Sequence, residues 1–453
     1  MLLASLLTGL AAFHGLGWCV FVYPALLTLG LAALPARRMV LVAALWGIIF
    51  AACFYHWVGA YGLLPWLALS MVRGLPWLLY PLPALLLRGR KPLESGSGQL
   101  SPRQILGGAL GLGLVSWVLL LGNTGVDWET PAGALTAWPA LLAPLPWFGL
   151  VGVALAIGLI SHLLTSGRLG TTLLGITLLV LWLSIVPELA PESPAIGPGL
   201  KVALVQTGQS QDVKWDEAHR ELGVEQLLSL TEQAAGQGAE LVIWPETAWP
   251  YRGLRRRVTN TRKIGKLARK LKVDILVSSI EETEPGEADS EWRNSVSLVL
   301  ASGRFAQHYD KRRLAPFAEH LPLPFRLQSL LRRVPPFSRI SRFVPGTEPT
   351  VFQTTGGRRF AVLICYESMT PTMAAEMSEQ VDFFVVVTND APFDHQPANE
   401  AHFRSAILRA SETGKPVLQA ANTGVTGVIA GGGRVLARTA KGLSGPSVQY
   451  CAP

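Results

Sequence analysis

Apolar positions run in long blocks from the first residue, at about 2–17, 18–35, 39–58, 61–87, 104–122, 144–165 and 170–188. Each block approaches the ~20 residues that a helix needs to cross a bilayer, and the pattern predicts an all-α transmembrane bundle of about seven helices over residues 1–190. Residues 2–35 form a single apolar run broken only by His14, Gly15 and Gly17, which suits either one long segment or a hairpin. Residues 191–200 carry Pro191, Pro194 and Pro198 and are predicted to be a linker. Beyond them the pattern shortens to β-branched runs at 201–207, 240–246, 273–279, 360–367, 382–390 and 416–422, the signature of buried strands. Helical stretches are predicted at 215–237, 253–271 and 399–413, with hairpins turning at Ser302-Gly303 and at 431–433. Strands alternating with helices predict a mixed α/β sandwich over 201–453.

Composition supports the division. The chain is 49% hydrophobic and 15% charged, and up to Val186 its only Lys or Arg residues are Arg37, Arg38, Arg73, Arg88, Arg90, Lys91, Arg103 and Arg168. Apart from Arg73 these fall in alternate short loops, which are predicted to be cytoplasmic, whereas the loop with Asp127 and Glu129 carries no basic residue and is predicted to lie outside. With no Lys or Arg before Arg37, the basic start of a cleavable signal is missing. Seven crossings from a cytoplasmic start put the polar domain outside the cytoplasm, against the membrane surface. Arg73 falls within an apolar segment, where a charge is costly and is either functional or interfacial, beside Gly74 and Pro76. His14 and His56 lack a second ligand at metal spacing and are read as hydrogen-bonded helix residues. The net charge of +8 comes largely from ten Lys and Arg residues in 252–272. No nucleic-acid module accompanies them, so a solvated helix face or contact with anionic headgroups is expected.

Four cysteines, Cys19, Cys53, Cys365 and Cys451, are spaced for neither a disulfide framework nor a zinc site. Cys19 and Cys53 sit in apolar stretches as packing residues, and Cys451 lies close to the end. Cys365 differs because it ends a predicted strand, where open α/β folds place their sites. Glu246 ends another, and Lys311 follows the second arm of a hairpin. A thiol attacks carbonyl carbon as thiolate, a carboxylate can take its proton, and an ammonium can stabilise the oxyanion that follows. Taken singly, each also reads as a buried Cys, a strand-capping Glu or a surface Lys.

In combination and order, these residues resemble the nitrilase, or carbon-nitrogen hydrolase, superfamily. The resemblance rests on Trp244-Pro245-Glu246-Thr247-Ala248, the stretch 309–319 (YDKRRLAPFAE), Ile364-Cys365-Tyr366-Glu367 and Thr388-Asn389-Asp390-Ala391, with Val205-Gln206 and Lys214-Trp215 before them. Within that superfamily the whole length, helices included, is similar to the apolipoprotein N-acyltransferase family. The resemblance implies a four-layer α-β-β-α sandwich with Glu246 as general base, Lys311 as oxyanion stabiliser and Cys365 as nucleophile. It further implies Glu319 as an additional active-site carboxylate, and Tyr366 and Glu367 as supporting neighbours. The implied reaction passes an acyl chain from a glycerophospholipid through a Cys365 thioester to the α-amino group of a diacylglyceryl-apolipoprotein, without metal or other cofactor. Residues 317–349 fall where this family has an arm over the site. The family's final transmembrane helix is absent from the sequence after the last hairpin, its aromatic after Asn-Asp-Ala is replaced by Pro392, and Ser116-Trp117-Val118 replaces a Glu-Trp-x-Arg element. A divergent paralogue with amidase or acyltransferase activity on another envelope or secretion-related substrate therefore stays open, as does a non-catalytic assembly protein.

Overall fold

In the computed structural model the chain divides into two compact units, Met1–Pro191 and Glu192–Pro453. The structure describes residues 1–88, 99–122, 124–189, 200–283, 291–321, 327–328, 343–393, 396–439 and 447–451. Apart from Leu200, the predicted linker lies outside these residues.

In the first unit, every apolar block of the sequence contains helix. The ambiguous run 2–35 is two helices, Leu2–Phe13 and Tyr23–Ala32, separated by a 3-10 turn at Gly17–Phe21. Helices Ala36–Phe54, Leu63–Gly74, Pro102–Leu119, Leu145–Leu164 and Leu169–Ile185 follow. The fourth block is interrupted after Gly74 by a 3-10 turn, Leu75–Leu79, and resumes as Leu82–Arg88. Pro76 and Pro83 lack the amide hydrogen that regular helix needs there. Among the described residues, Ala36–Phe54, Leu63–Leu87 and Leu145–Leu164 are long and apolar enough to cross a membrane. Their outward positions, including Leu41, Leu45, Leu63, Leu64 and Phe148, are exposed hydrophobics, as suits a lipid solvent better than water.

Inside the unit the packing is aromatic. Trp46 stacks on Phe50 with ring centres 5.3 Å apart, and Trp77 meets Trp46 at 4.6 Å. The helices carrying them approach closely through Gly47 and Gly74. A Cβ on Gly47 would lie 2.5 Å from the Gly74 carbonyl, so only glycine permits the crossing. Arg73 is buried. Its guanidinium pairs with Glu129, Nε donating to Oε1 at 2.8 Å, and donates also to the carbonyls of Leu119, Thr124 and Val126. His14 and His56 donate to or face the carbonyls of Leu10 and Cys53 and are otherwise exposed. Cys19 is buried, but Cys53 faces outward, correcting its reading as a packing residue. Arg73→Leu is expected to cost about 3–5 kcal/mol by stranding the Glu129 carboxylate. Thermal unfolding in detergent measures it, and an unchanged midpoint would show that the pair carries no such weight.

The second unit has two six-stranded sheets. In the first, the order is β12-β1-β2-β3-β4-β5, with β1 Val202–Gln206, β2 Leu241–Ile243, β3 Asp274–Glu282, β4 Trp292–Val299, β5 Phe305–Asp310 and β12 Ser447–Cys451. In the second, the order is β11-β10-β9-β8-β7-β6, with β6 Phe352–Gln353, β7 Arg359–Ile364, β8 Phe383–Thr388, β9 Val417–Ala421, β10 Gly427–Ile429 and β11 Val435–Arg438. β1, β2 and β3 pair in parallel, as do β7, β8 and β9, and the hairpin strands close the edges antiparallel. Alternation within single strands sorts the two cores. Val202 and Leu204 of β1 join Ile243, Ile364, Val385 and Val387 in a core drawn from both sheets. Ala203 and Val205 instead pack with Val224, Leu227, Ile264 and Ala268 of the helices Arg220–Gly236 and Val258–Leu271. This arrangement leaves the polar ends of β2, β5 and β7 to form the site.

Candidate active site

Each of the three predicted chemical residues lies just beyond the end of a strand. Glu246 lies three residues beyond β2, Lys311 follows β5 directly, and Cys365 follows β7 directly. Glu246 and Lys311 come from one sheet and Cys365 from the other.

Glu246 is held from behind. Trp244 and Trp249 stack with ring centres 6.2 Å apart, and Trp244 Nε1 donates to Thr231 Oγ1 at 3.0 Å, which fixes the turn between them. Thr247, within that turn, has φ of 48°, a left-handed conformation that costs a β-branched residue energy. Lys214 secures it, donating to the Glu246 carbonyl at 2.9 Å and to Thr247 Oγ1 at 2.7 Å. Burial pulls the Lys214 ammonium down to about 7, against the opposing charge of Glu246. The Glu246 carboxylate itself accepts from Asn294 Nδ2 at 2.7 Å and from the Asn389 backbone N–H at 2.8 Å.

Lys311 is almost fully buried, at 1% exposure, so its charge needs local partners. Its Nζ lies 2.8 Å from Glu319 Oε2 and 3.5 Å from Glu246 Oε1. Burial alone would lower its pKa, but Glu319, Glu246 and Cys365 outweigh it and hold the ammonium above the usual lysine value. Glu319 is fixed in turn by the Ala315 N–H and by Asn294 Nδ2, at 2.7 and 3.0 Å. One amide, Asn294, thus spans the two carboxylates on either side of the ammonium.

Cys365 opens a 3-10 turn, Cys365–Met369, with φ of 51°. A non-glycine residue in that region stores strain of roughly 1–3 kcal/mol and is retained where its surroundings demand it. Burial pushes the thiol well above its ordinary pKa, helped by Glu246 and Asp390 and opposed by Lys311. Burial thus favours the neutral thiol, from which attack requires a base to take the proton.

Glu367 is fully buried and ties this turn to the lysine segment. Its Oε1 accepts from Tyr309 OH at 2.7 Å, Arg312 N at 2.7 Å and Arg313 N at 3.0 Å, while Oε2 accepts from Ile364 N at 2.8 Å. Burial raises its carboxyl above the usual range despite these donors. Tyr366, half-buried between the two, is the other predicted neighbour. In Glu367→Gln an amide NH2 must confront either the Ile364 N–H or the 309–313 donors. We expect a lower thermal midpoint and a kcat about 10²-fold down, the cost of misplacing a reacting atom by an ångström. Wild-type kcat in the folded variant would count against this positioning role.

Several residues of the site carried no role in the sequence reading. Asn294 lies inside β4 among alternating Ser and Val, where an amide has no distinguishing pattern. Lys214 and Asn389 belonged to motifs, but what they touch depends on chain 32 and 143 residues away. His402, in the helix Gln396–Thr413, is buried against Asp390 and the Cys365 carbonyl. The Cys365 sulfur, a carboxylate oxygen of Asp390 and a ring nitrogen of His402 all lie within 4.8 Å of one another. Of the arm 317–349, the parts 322–326 and 329–342 lie outside the described residues.

The sequence pattern of the carbon-nitrogen hydrolase family matches residues 201–444, which contain every candidate site residue. An apolipoprotein N-acyltransferase of Brucella melitensis biotype 1 is 30% identical over 428 residues, covering 88% of this chain and 78% of that protein. Another, from Brucella suis biovar 1, is 32% identical and covers 73% of this chain but 64% of its own length. Among solved structures, an amidase of the nitrilase superfamily from Nesterenkonia matches at 16% identity with a TM-score of 0.42, over 57% of this chain and 93% of that chain.

Proposed function

Because the chain belongs to the apolipoprotein N-acyltransferase family of carbon-nitrogen hydrolases, we propose that it moves an acyl chain from a glycerophospholipid to the amino-terminal cysteine of a diacylglyceryl-lipoprotein. The observation that carries the reading is the meeting of Glu246, Lys311 and Cys365 in one buried cluster, on a chain that also holds membrane-length apolar helices.

Glu246 takes the Cys365 proton as sulfur attacks the donor's ester carbonyl. Lys311, already charged and buried beside Glu246 and Glu319, stabilises the oxyanion at no further cost of reorganisation. The intermediate collapses to a Cys365 thioester as the carbon–oxygen bond breaks, and Glu246 returns its proton to the departing lysophospholipid oxygen. The acceptor amine then attacks the thioester and gives Glu246 a proton. Amide forms, and the carboxyl restores the thiol. No redox step or metal is called for.

The surrounding architecture is read in the same spirit. The two cores favour a four-layer α-β-β-α sandwich, and the seven apolar blocks favour a multi-pass protein of a bacterial inner membrane. Loop charge favours the catalytic unit on the periplasmic side, where the outer-leaflet substrates are held.

The test is incubation of the detergent-purified protein with phospholipid and a diacylated lipopeptide, read by mass spectrometry. An acyl adduct on Cys365 together with N-acylated lipopeptide is expected. An adduct without lipopeptide product would reassign the acceptor, and absence of an adduct with every phospholipid donor would end the acyltransferase reading.

A further inference from the structure

His402 stands behind the nucleophile, on a helix that contributes nothing else to the chemistry described so far. Its Nδ1 lies 2.9 Å from Asp390 Oδ1, and its Nε2 lies 3.2 Å from the Cys365 carbonyl oxygen. Both partners are acceptors only, when the carboxylate is ionised. A neutral imidazole has one N–H, so one of the two contacts would set a lone pair against an oxygen. The nearby hydroxyls do not relieve this. Ser368 Oγ, 3.1 Å from Nε2, already donates to the Cys365 carbonyl at 2.8 Å. Thr388 Oγ1, 3.4 Å from Nδ1, already donates to Asp390 Oδ1 at 2.7 Å. An imidazolium, with two N–H groups, satisfies every contact at once.

We propose that His402 is held as an imidazolium paired with Asp390, and that it is a positioning residue that fixes the strained Cys365 turn and supplies positive charge behind its thiol. The charged groups facing it are Asp390 after β8, Cys365 in the turn after β7 and Glu246 after β2. Lys311 lies beyond the thiol, and Arg409, on the same helix, donates to the Ser368 carbonyl at 3.1 Å. Burial works against the charge, but Asp390, the Cys365 carbonyl and Glu246 together raise the His402 pKa above its ordinary value. A group raised in this way keeps its proton below that pKa and loses it as pH climbs through it, so its hold on the turn weakens on the alkaline side. A ring nitrogen of His402 and the Cys365 sulfur are within 4.8 Å, a range over which a unit charge moves a thiol pKa appreciably.

The inference rests on the proposed nucleophilic role of Cys365, but its test does not require acyl transfer. Alkylation of Cys365 by iodoacetamide in the purified full-length protein, followed by mass spectrometry against pH, reads the thiol directly. His402→Gln is expected to slow alkylation about tenfold near neutral pH, where the wild-type imidazole carries its charge, with the two profiles converging as pH rises and that charge is lost. A folded variant whose profile coincides with the wild type overturns the proposal. A second measurement needs no change at the site. In protein with 15N-labelled histidine and the surface His219→Gln replacement, which removes a pair with Asp216, one imidazole should stay doubly protonated at about pH 7.5, a unit above the ordinary imidazole value. Finding every histidine neutral there overturns the proposal even if His402→Gln does not fold. A positive result beside a missing acyl adduct would separate this inference from the acyltransferase reading.

Discussion

Cys365→Ala is expected to abolish both the acyl adduct and acyl transfer, with kcat down by about 10⁴-fold or more, because no other group can form the thioester. The fold should survive. Cys365 is only half-buried, and Ala in its place loses a sulfur rather than an ion pair or a backbone anchor. The substitution relieves little of the turn's strain, since Ala at φ of 51° has the same clash of Cβ with backbone. Rate of product formation and thermal midpoint together check this. Transfer at a tenth of the wild-type rate by a well-folded Cys365→Ala protein would remove the thioester from the mechanism.

Lys311→Met should have the second largest effect. It leaves Glu246 and Glu319, both bonded to Asn294, facing one another across the space the ammonium filled. Breaking a buried pair in this manner costs about 3–5 kcal/mol. Loss of an oxyanion-stabilising donor costs about 10²–10³ in kcat. The sign of the pH dependence follows. Without the cation one of the two carboxyls is raised and holds a proton, so the base is available only above that raised pKa. Residual activity should therefore climb toward alkaline pH. Single-turnover adduct formation across pH tests this, and a profile parallel to that of the wild type would show that Lys311 does not set the charge of Glu246.

How much of this could be read in advance varied with whether the cause was local. Strands β1, β7, β8 and β9 were legible because parallel central strands are buried on both faces and are written as short, largely apolar runs. Glu246 and Cys365 were legible because each follows such an apolar run, and Lys311 because it follows the second arm of a hairpin. Asn294 was not, because its role comes from bonding two carboxylates that reach it through other segments. Nor was the partner of Arg73, since Glu129 lies 56 residues away in a loop with no spacing rule. The break after Gly74 was hidden by continuous hydrophobicity. An apolar block records where lipid or core surrounds the chain, while Pro76 and Pro83 decide where its backbone can stay helical.

The reacting groups come from both sheets, and Glu367 links the two segments that bear Lys311 and Cys365. No hairpin or single sheet broken off from the domain contains all three reacting groups. During synthesis the nascent chain therefore stays chemically silent until residues as late as those of β8 have been made and packed. Loss of turnover during denaturation should likewise coincide with global unfolding of the domain, making enzyme activity a probe of its cooperativity.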